Sequence, residues 1–237
     1  MTKLILALNV EDTSKARKLL DQIGTEVDLF KIGIDLWVKG GPELAKDFIR
    51  QGIGIFLDLK FCDIPSVVAK AVTAASELGV KMLTVHALGG AEMLFAASKA
   101  AKLTAEKTGQ EKPMILAVTV LTSLDRTALQ QVTGCPQEIE SRVVALAELA
   151  QSMGCDGVVA SPKEIRLLKK RCGPKFIVVT PGIRLKAKEG DDQQRFLTPQ
   201  EAAAAGADYI VVGRPIYEAP DPISVIKDIR RQIGGWV

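Results

Sequence analysis

The sequence predicts an eight-stranded parallel β/α barrel. Short runs rich in Val, Ile and Leu recur along the whole 237-residue chain. Continuous apolar runs of this kind suit strands that are buried on both faces, as in parallel sheets. Segments with the helical period lie between them, so a strand and a helix alternate at roughly 30 residues per unit. Eight such units close into a barrel.

Eight strands are predicted, and each consists of about four to eight residues dominated by β-branched and other aliphatic side chains. In chain order they are LILALNV from Leu4, LFKIGI from Leu29, IGIFLDLK from Ile53, KMLTVHA from Lys81, MILAVTVL from Met114, GVVAS from Gly157, FIVVTPG from Phe176 and YIVVG from Tyr209.

The helices between them are predicted from apolar stripes that end at a glycine. After Pro65, the side chains of Val68, Val72 and Ala75 share one stripe, and Gly79 ends it. The same pattern covers residues 12–23 before Gly24, 41–52, 138–153 and 199–205.

An open, doubly wound sheet is the alternative architecture. It would need a glycine-rich turn after the first strand, but the turn here reads Asn9-Val10-Glu11-Asp12. The chain has neither an obvious linker nor a low-complexity segment, so we expect residues 1–237 to form a single domain.

Composition excludes several classes of protein. The net charge is only +3 and no basic stripe is interleaved with aromatic residues, so we expect no nucleic-acid partner. The apolar run near the amino terminus is too short to span a membrane and lacks a cleavage site, which predicts a cytoplasmic protein with no membrane partner. The cysteines lack CxxC spacing and are expected to be free thiols; they are Cys62, Cys135, Cys155 and Cys172.

Charged residues cluster where the third strand ends. Asp58 and Lys60 are two positions apart and should share one strand face, and Asp63 follows. Burying these charges unpaired would be costly, so we expect a network of alternating charges that also includes Lys31 and favours the charged form of Lys60. A purely structural ion-pair cluster is the alternative, but charges at the carboxyl end of a barrel strand favour a substrate site.

Two glycine–arginine turns indicate a phosphate site. Gly182 and Arg184 follow the seventh strand, and Gly213 and Arg214 follow the eighth. Barrels often bind phosphate on these two loops, and arginine matches phosphate oxygens. Pairing of both arginines with surface acids is the alternative. The polar segment LKAKEGDDQQ from Leu185 is equally consistent with a mobile lid and with a solvated loop.

Other polar residues at strand ends give weaker signals. His86 ends the fourth strand and is interpreted as a satisfied supporting group. Thr122 either contacts a polar substrate or caps the next helix. Cys62 lies beside Asp63, whose charge disfavours a thiolate.

Several segments together make the chain similar to the orotidine 5′-phosphate decarboxylase family along essentially its full length. They are FLDLKFCDIP around Lys60, FKIG around Lys31, VHALGG from Val85, AVTVLTS ending at Ser123, VTPGIR ending at Arg184, Asp192-Gln193, and VGRPI from Val212. The resemblance implies decarboxylation of orotidine 5′-phosphate to UMP in pyrimidine synthesis, with no cofactor and no metal.

The resemblance also implies roles for individual residues. Lys60 would donate a proton to C6 of the pyrimidine, Asp58 would lie beside the leaving carboxylate, and Lys31 would bond the ribose and pair with the acids. Asp63 and Ile64 would reach into the neighbouring subunit's site, which implies a homodimer. Further substrate-binding residues implied by the resemblance are Asn9, Pro65, Thr122, Arg184, Gln193, Gly213 and Arg214.

Two positions depart from the family pattern. The first strand ends in Ala-Leu-Asn where the family usually has Ala-Leu-Asp, so Asn9 removes one negative charge near Lys31 while its amide can still bond a ribose hydroxyl. Cys62 stands where many relatives have His.

Two other functions compete with this one. Related phosphosugar enzymes use Mg²⁺ and place an acid on the second strand, where this chain has the cation Lys31. A nucleotide-binding protein without turnover is the other alternative, and Asn9 is the feature that supports it.

Overall fold

Eight parallel strands form a closed barrel in the order of the sequence. The computed structural model describes residues 1–134, 136, 138–185 and 196–234. The strands are β1 (Lys3–Leu8), β2 (Leu29–Gly33), β3 (Ile55–Phe61), β4 (Met82–His86), β5 (Met114–Val118), β6 (Gly157–Val159), β7 (Ile177–Thr180) and β8 (Tyr209–Val212). Because β1 pairs with both β2 and β8, the predicted barrel is confirmed and the open sheet is excluded.

Helices follow the strands and cover the outside of the barrel. Among the described residues, no helix is both long enough and apolar enough to cross a membrane. The helices are α1 (Thr13–Ile23), α2 (Ile34–Arg50), α3 (Pro65–Glu77), α4 (Gly90–Thr108), α5 (Arg126–Thr133), α6 (Ile139–Ser152), α7 (Ile165–Cys172), α8 (Pro199–Ala205), α9 (Arg214–Tyr217) and α10 (Pro222–Gln232).

Two helices differ from the sequence prediction. Helix α2 begins at Ile34, well before the predicted start. It is kinked at Gly41, which has a φ of 54° and directly precedes Pro42. A proline can occupy the first turn of a helix because it lacks only an N–H that has no partner there, so Pro42 restarts the helix after the kink. The short helix α9 replaces the turn that the sequence predicts after β8.

The apolar core has two layers that follow from the strand period of two. Alternate strand residues pack outward against the helices, and the remaining ones fill the barrel interior. The interior layer consists of Ile5, Ala7, Leu29, Phe56, Met82, Leu116, Val179, Tyr209 and Val211. Residues two positions further along β2, β3 and β4 are Lys31, Asp58 and Thr84, so the interior becomes polar one layer nearer the carboxyl ends.

A repeated aspartate contact joins strand pairs at the amino ends of the barrel. An aspartate directly precedes β2, β6 and β8, accepts a backbone N–H of the preceding strand, and pairs with a nearby cation. The N–H of Leu4 donates to Asp28 at 2.8 Å, that of Ile115 to Asp156 at 2.8 Å and that of Val178 to Asp208 at 2.6 Å. The cations that pair with these three aspartates are, in the same order, Arg230, Lys112 and Lys169. These contacts lie at the end of the barrel opposite the polar layer, which is the end that serves stability.

We expect Asp208→Ala to lower the free energy of unfolding by about 1–3 kcal/mol, because the partly buried N–H of Val178 loses its carboxylate acceptor. Urea denaturation followed by circular dichroism measures the loss. Asp228→Ala is the matched control, because Asp228 pairs with Arg231 on an exposed helix face and should change stability by less than about 1 kcal/mol. Equal losses in the two variants would contradict the prediction.

Candidate active site

A cavity of about 1240 Å³ opens at the carboxyl ends of the strands. The barrel geometry explains its position, because the apolar layer fills the interior below it and the βα loops surround it. Nine of the residues singled out from the sequence line it: Asn9, Lys31, Asp58, Lys60, Thr122, Gly182, Arg184, Gly213 and Arg214.

Asp58 lies between two lysines at the floor of this cavity. Its Oδ2 is 3.2 Å from Nζ of Lys31, and its Oδ1 is 2.9 Å from Nζ of Lys60. The side chains of Asp58 and Lys31 are only 13% and 11% exposed, whereas that of Lys60 is 32% exposed. The two better-buried charges therefore anchor the group, and the Lys60 ammonium is the one that is open to the cavity.

The charges of the two lysines decide the ionisation of Asp58. Burial alone would raise the pKa of this carboxyl, but the neighbouring Lys31 and Lys60 charges and their hydrogen bonds outweigh burial and lower it. Asp58 is therefore an ionised acceptor at neutral pH, and each of its oxygens is held by an ammonium group.

The lowered pKa of Asp58 predicts a pH dependence of stability. Below the ordinary pKa of 3.8, the unfolded chain binds a proton at Asp58 before the folded protein does, so the stability that Asp58 contributes is lost as the pH falls. Asp58→Asn removes this titration. We expect the difference in urea midpoint between parent and variant to shrink from about pH 6 to about pH 3. A difference that stays constant or grows would contradict the expectation.

Lys60 has an unusual backbone. Its φ of 53° makes it the only non-glycine residue with positive φ in the described part of the chain. A side chain in this left-handed region costs about 1–2 kcal/mol. The β3–β4 register also shifts between Leu57 and Phe61, so strict alternation does not continue through Lys60. Asp58 and Lys60 both line the cavity, as predicted. Their relative position, however, depends on the irregular backbone at Lys60 as well as on the alternation of side chains along a strand.

Thr84 is part of this site, although no motif in the sequence singles it out. Its hydroxyl accepts the backbone N–H of Lys60 at 2.9 Å and is 3.0 Å from Oδ1 of Asp58. The residue is 0% exposed. The sequence does carry one signal for it, because Thr84 is two residues after Met82 on β4 and should therefore face the barrel interior as Met82 does.

His86 is held as a neutral ring beside the lysine. Burial, and secondarily the charge of Lys60, lower the pKa of this imidazole. Its Nδ1 accepts the backbone N–H of Leu88 at 3.3 Å, which places the proton of the neutral ring on Nε2. The bond to Leu88 satisfies one ring nitrogen, which agrees with the interpretation of His86 as a supporting group.

The loops after β7 and β8 bring further cations to the same cavity. Gly182 has a φ of 76°, a backbone conformation that favours glycine, and it leads the chain to Arg184. The Arg184 guanidinium lies 4.3 Å from the centre of the Phe196 ring, and Arg214 begins α9. Both arginines line the cavity, which therefore carries guanidinium groups as well as the charged trio of Lys31, Asp58 and Lys60.

Three predicted site residues lie outside the cavity lining within a single chain. Asp63 is exposed, and in the described structure its carboxylate accepts only the N–H of Ile64, at 2.6 Å. Ile64 is 63% exposed, and Pro65 begins α3. The expected ion pairing of Asp63 with the lysines is therefore absent from the described contacts of one chain. Gln193 lies outside the described residues.

The fold and the site together define a class of protein. A parallel barrel with a Lys–Asp–Lys group on its strands and arginines on its last two loops is a barrel enzyme for an anionic small molecule. The chain belongs to the orotidine 5′-phosphate decarboxylase / HUMPS family, whose model matches residues 2–229.

Individual relatives cover almost the whole chain. An orotidine 5′-phosphate decarboxylase of Moorella thermoacetica is 46% identical over 231 residues, which are 98% of this chain and 92% of the relative. The enzyme of that name from Heliobacterium modesticaldum is 44% identical over 96% of this chain and 93% of its own length. A crystal structure of orotidine 5′-phosphate decarboxylase from Lactobacillus acidophilus superposes with a TM-score of 0.88 at 35% identity and covers 98% of this chain and 99% of that one.

Proposed function

We propose that this protein decarboxylates orotidine 5′-phosphate to UMP in pyrimidine biosynthesis, without a cofactor. The observation that carries the proposal is the Lys60 ammonium, held 2.9 Å from Asp58 and facing a cavity that two arginines also line. Two relatives that are named orotidine 5′-phosphate decarboxylase, at 46% and 44% identity, support the choice of substrate.

The chemistry needs a fixed positive charge beside one carbon. Loss of CO₂ leaves an electron pair on C6 of the pyrimidine, with little conjugation to delocalise it. The Lys60 ammonium stabilises this carbanion electrostatically and then transfers a proton to C6, so that UMP forms. Asp58 lies beside the departing carboxylate and fixes both lysines through its two oxygens.

The remaining cavity residues bind the nucleotide. The guanidinium of Arg214 and the backbone N–H of Gly213 hold the phosphate, with Arg184 nearby. Lys31 and Asn9 contact the ribose, and Thr122 contacts the base. Binding energy gained at the phosphate, remote from C6, serves to position the pyrimidine ring against Lys60. By resemblance, Gln193 is a further phosphate ligand.

The catalytic unit is a homodimer of single-domain chains spanning residues 1–237. Asp63 and Ile64 are exposed, lie outside the lining of their own cavity and complete the site of the partner chain. Large apolar side chains that follow β3 and β4 are exposed, including Ile64 at 63%, Val67 at 43% and Leu88 at 43%. Contact with a second copy would remove these surfaces from water.

The group of Lys31, Asp58 and Lys60 also argues against the two competing functions, a Mg²⁺-dependent phosphosugar enzyme and a nucleotide-binding protein without turnover. Both oxygens of Asp58 are engaged by ammonium groups, and the resulting positive charge would repel Mg²⁺ where a metal-using phosphosugar enzyme needs carboxylates. A nucleotide-binding protein without turnover would have no need for the strained, cavity-facing Lys60.

Turnover of orotidine 5′-phosphate in the presence of EDTA, followed by ultraviolet absorbance, tests the proposal. Decarboxylation that is independent of metal is the expected result. Activity that requires added Mg²⁺ would move the assignment to the phosphosugar branch. Binding of UMP without any turnover would identify a nucleotide-binding protein.

A further inference from the structure

We propose that Thr84 is a positioning residue that holds the Lys60 backbone in its left-handed conformation and orients the Asp58 carboxylate. The inference rests on the proposed function for its kinetic test, but its structural basis is independent of that function. Thr84 does not line the cavity and therefore acts through Lys60 and Asp58.

One hydroxyl connects the two key groups of the site. A threonine hydroxyl donates one hydrogen bond and accepts up to two. Oγ1 of Thr84 accepts the backbone N–H of Lys60 at 2.9 Å, so its own proton is free for Oδ1 of Asp58 at 3.0 Å. Ionised Asp58 can only accept, which fixes the direction of both bonds.

The bond to the Lys60 N–H lies where the strand is irregular. The β3–β4 register shifts between Leu57 and Phe61, so the regular pairing of the two strands is interrupted at Lys60. Thr84 provides the acceptor instead, from a fully buried position on β4. A strained backbone conformation persists only where its surroundings hold it, and this hydroxyl is such a restraint at Lys60.

The second bond orients Asp58. Its Oδ1 receives the Thr84 hydroxyl at 3.0 Å and Nζ of Lys60 at 2.9 Å. Thr84 therefore restrains Lys60 at two points, directly at the backbone and indirectly, through Asp58, at the ammonium. Losing the hydroxyl should misplace the proton donor while leaving the nucleotide-binding groups in place.

Thr84→Val removes the hydroxyl at nearly constant volume, and Thr84→Ser restores it. The matched control is Thr180→Val, because Thr180 is also 0% exposed on a barrel strand, and its hydroxyl donates to the carbonyl of Ala160 at 2.9 Å. Steady-state kinetics with orotidine 5′-phosphate are measured for all variants, together with a crystal structure of Thr84→Val.

We expect Thr84→Val to lower kcat by about 10- to 100-fold while KM changes by less than about threefold. Thr84→Ser and Thr180→Val should retain kcat within about threefold of the parent. In the crystal structure of Thr84→Val, the φ of Lys60 should leave the left-handed region, or Nζ of Lys60 should move away from Asp58.

Three results would overturn the inference: a kcat of Thr84→Val equal to that of Thr180→Val, a rise in KM alone, or an unchanged Lys60 conformation in the crystal structure. An active parent with an equally active Thr84→Val variant refutes the role of Thr84 and leaves the proposed function intact. An inactive parent refutes the proposed function, and the crystal structure still decides the role of Thr84.

Discussion

Lys60→Ala is expected to lower the turnover of orotidine 5′-phosphate by about 10⁴-fold or more, the largest effect of any single substitution in the chain. The substitution removes both the charge that stabilises the carbanion and the proton that completes the reaction. Affinity for UMP should change far less, because the two arginines that we assign to the phosphate follow other strands. Ultraviolet absorbance measures turnover, and isothermal titration calorimetry measures the binding of UMP.

Lys227→Ala is the matched control for this loss. Lys227 is an exposed lysine on α10 that does not line the cavity, and its removal should leave turnover unchanged. Circular dichroism verifies that both variants are folded. Retention of more than about a tenth of the parental kcat by Lys60→Ala would show that another group protonates C6.

Mixing two inactive variants is expected to restore activity if each site is built from two chains. Asp63→Ala removes the residue that we assign to the partner's site, and Lys60→Ala removes the proton donor of the chain's own site. In a symmetric dimer that contains one chain of each kind, one site carries both substitutions and the other carries neither. Random exchange of equal amounts should restore about a quarter of the parental activity.

A mixture of Lys60→Ala with Asp58→Asn is the control for this experiment. Both residues line the cavity of their own chain, so every site in the mixed dimer keeps one lesion and activity should stay absent. Recovery in this control, or no recovery in the Lys60→Ala and Asp63→Ala mixture, would contradict the shared site. Sedimentation of each mixture measures the assembly independently of activity.

The family was evident from short segments of the sequence alone. The segments FLDLKFCDIP and VGRPI predicted the orotidine 5′-phosphate decarboxylase family. This prediction is confirmed by the family model, which matches residues 2–229. Local sequence suffices here because each segment combines a buried strand with the polar residues that follow it.

The barrel was also predictable from the sequence. Aliphatic runs and glycine-ended helical stripes specified eight alternating units, because burial on both faces of a strand requires a continuous apolar run. The start of α2 at Ile34 was missed, because the predicted apolar stripe begins only after Gly41, where the helix kinks. The short helix α9 was missed because four residues are too few to show a helical period.

The contacts within the site were decided only by the tertiary structure. The sequence placed Asp58 and Lys60 on one strand, but their geometry depends on a register shift against β4 and on a positive φ at Lys60. Asp63 also shows the limit of sequence reasoning, since it adjoins the motif in the chain yet is exposed and does not line the cavity of its own chain.

The sequence by itself therefore determined the family, the order of the strands, and the meeting of Lys31, Asp58 and Lys60 at the barrel mouth. The tertiary structure determined how those charges are held. Thr84 lies 24 residues from Lys60 in the chain, and a hydrogen bond between them exists only once β3 and β4 lie side by side. A local pattern records which face a side chain occupies, whereas a contact across strands depends on register, which the folded barrel sets as a whole.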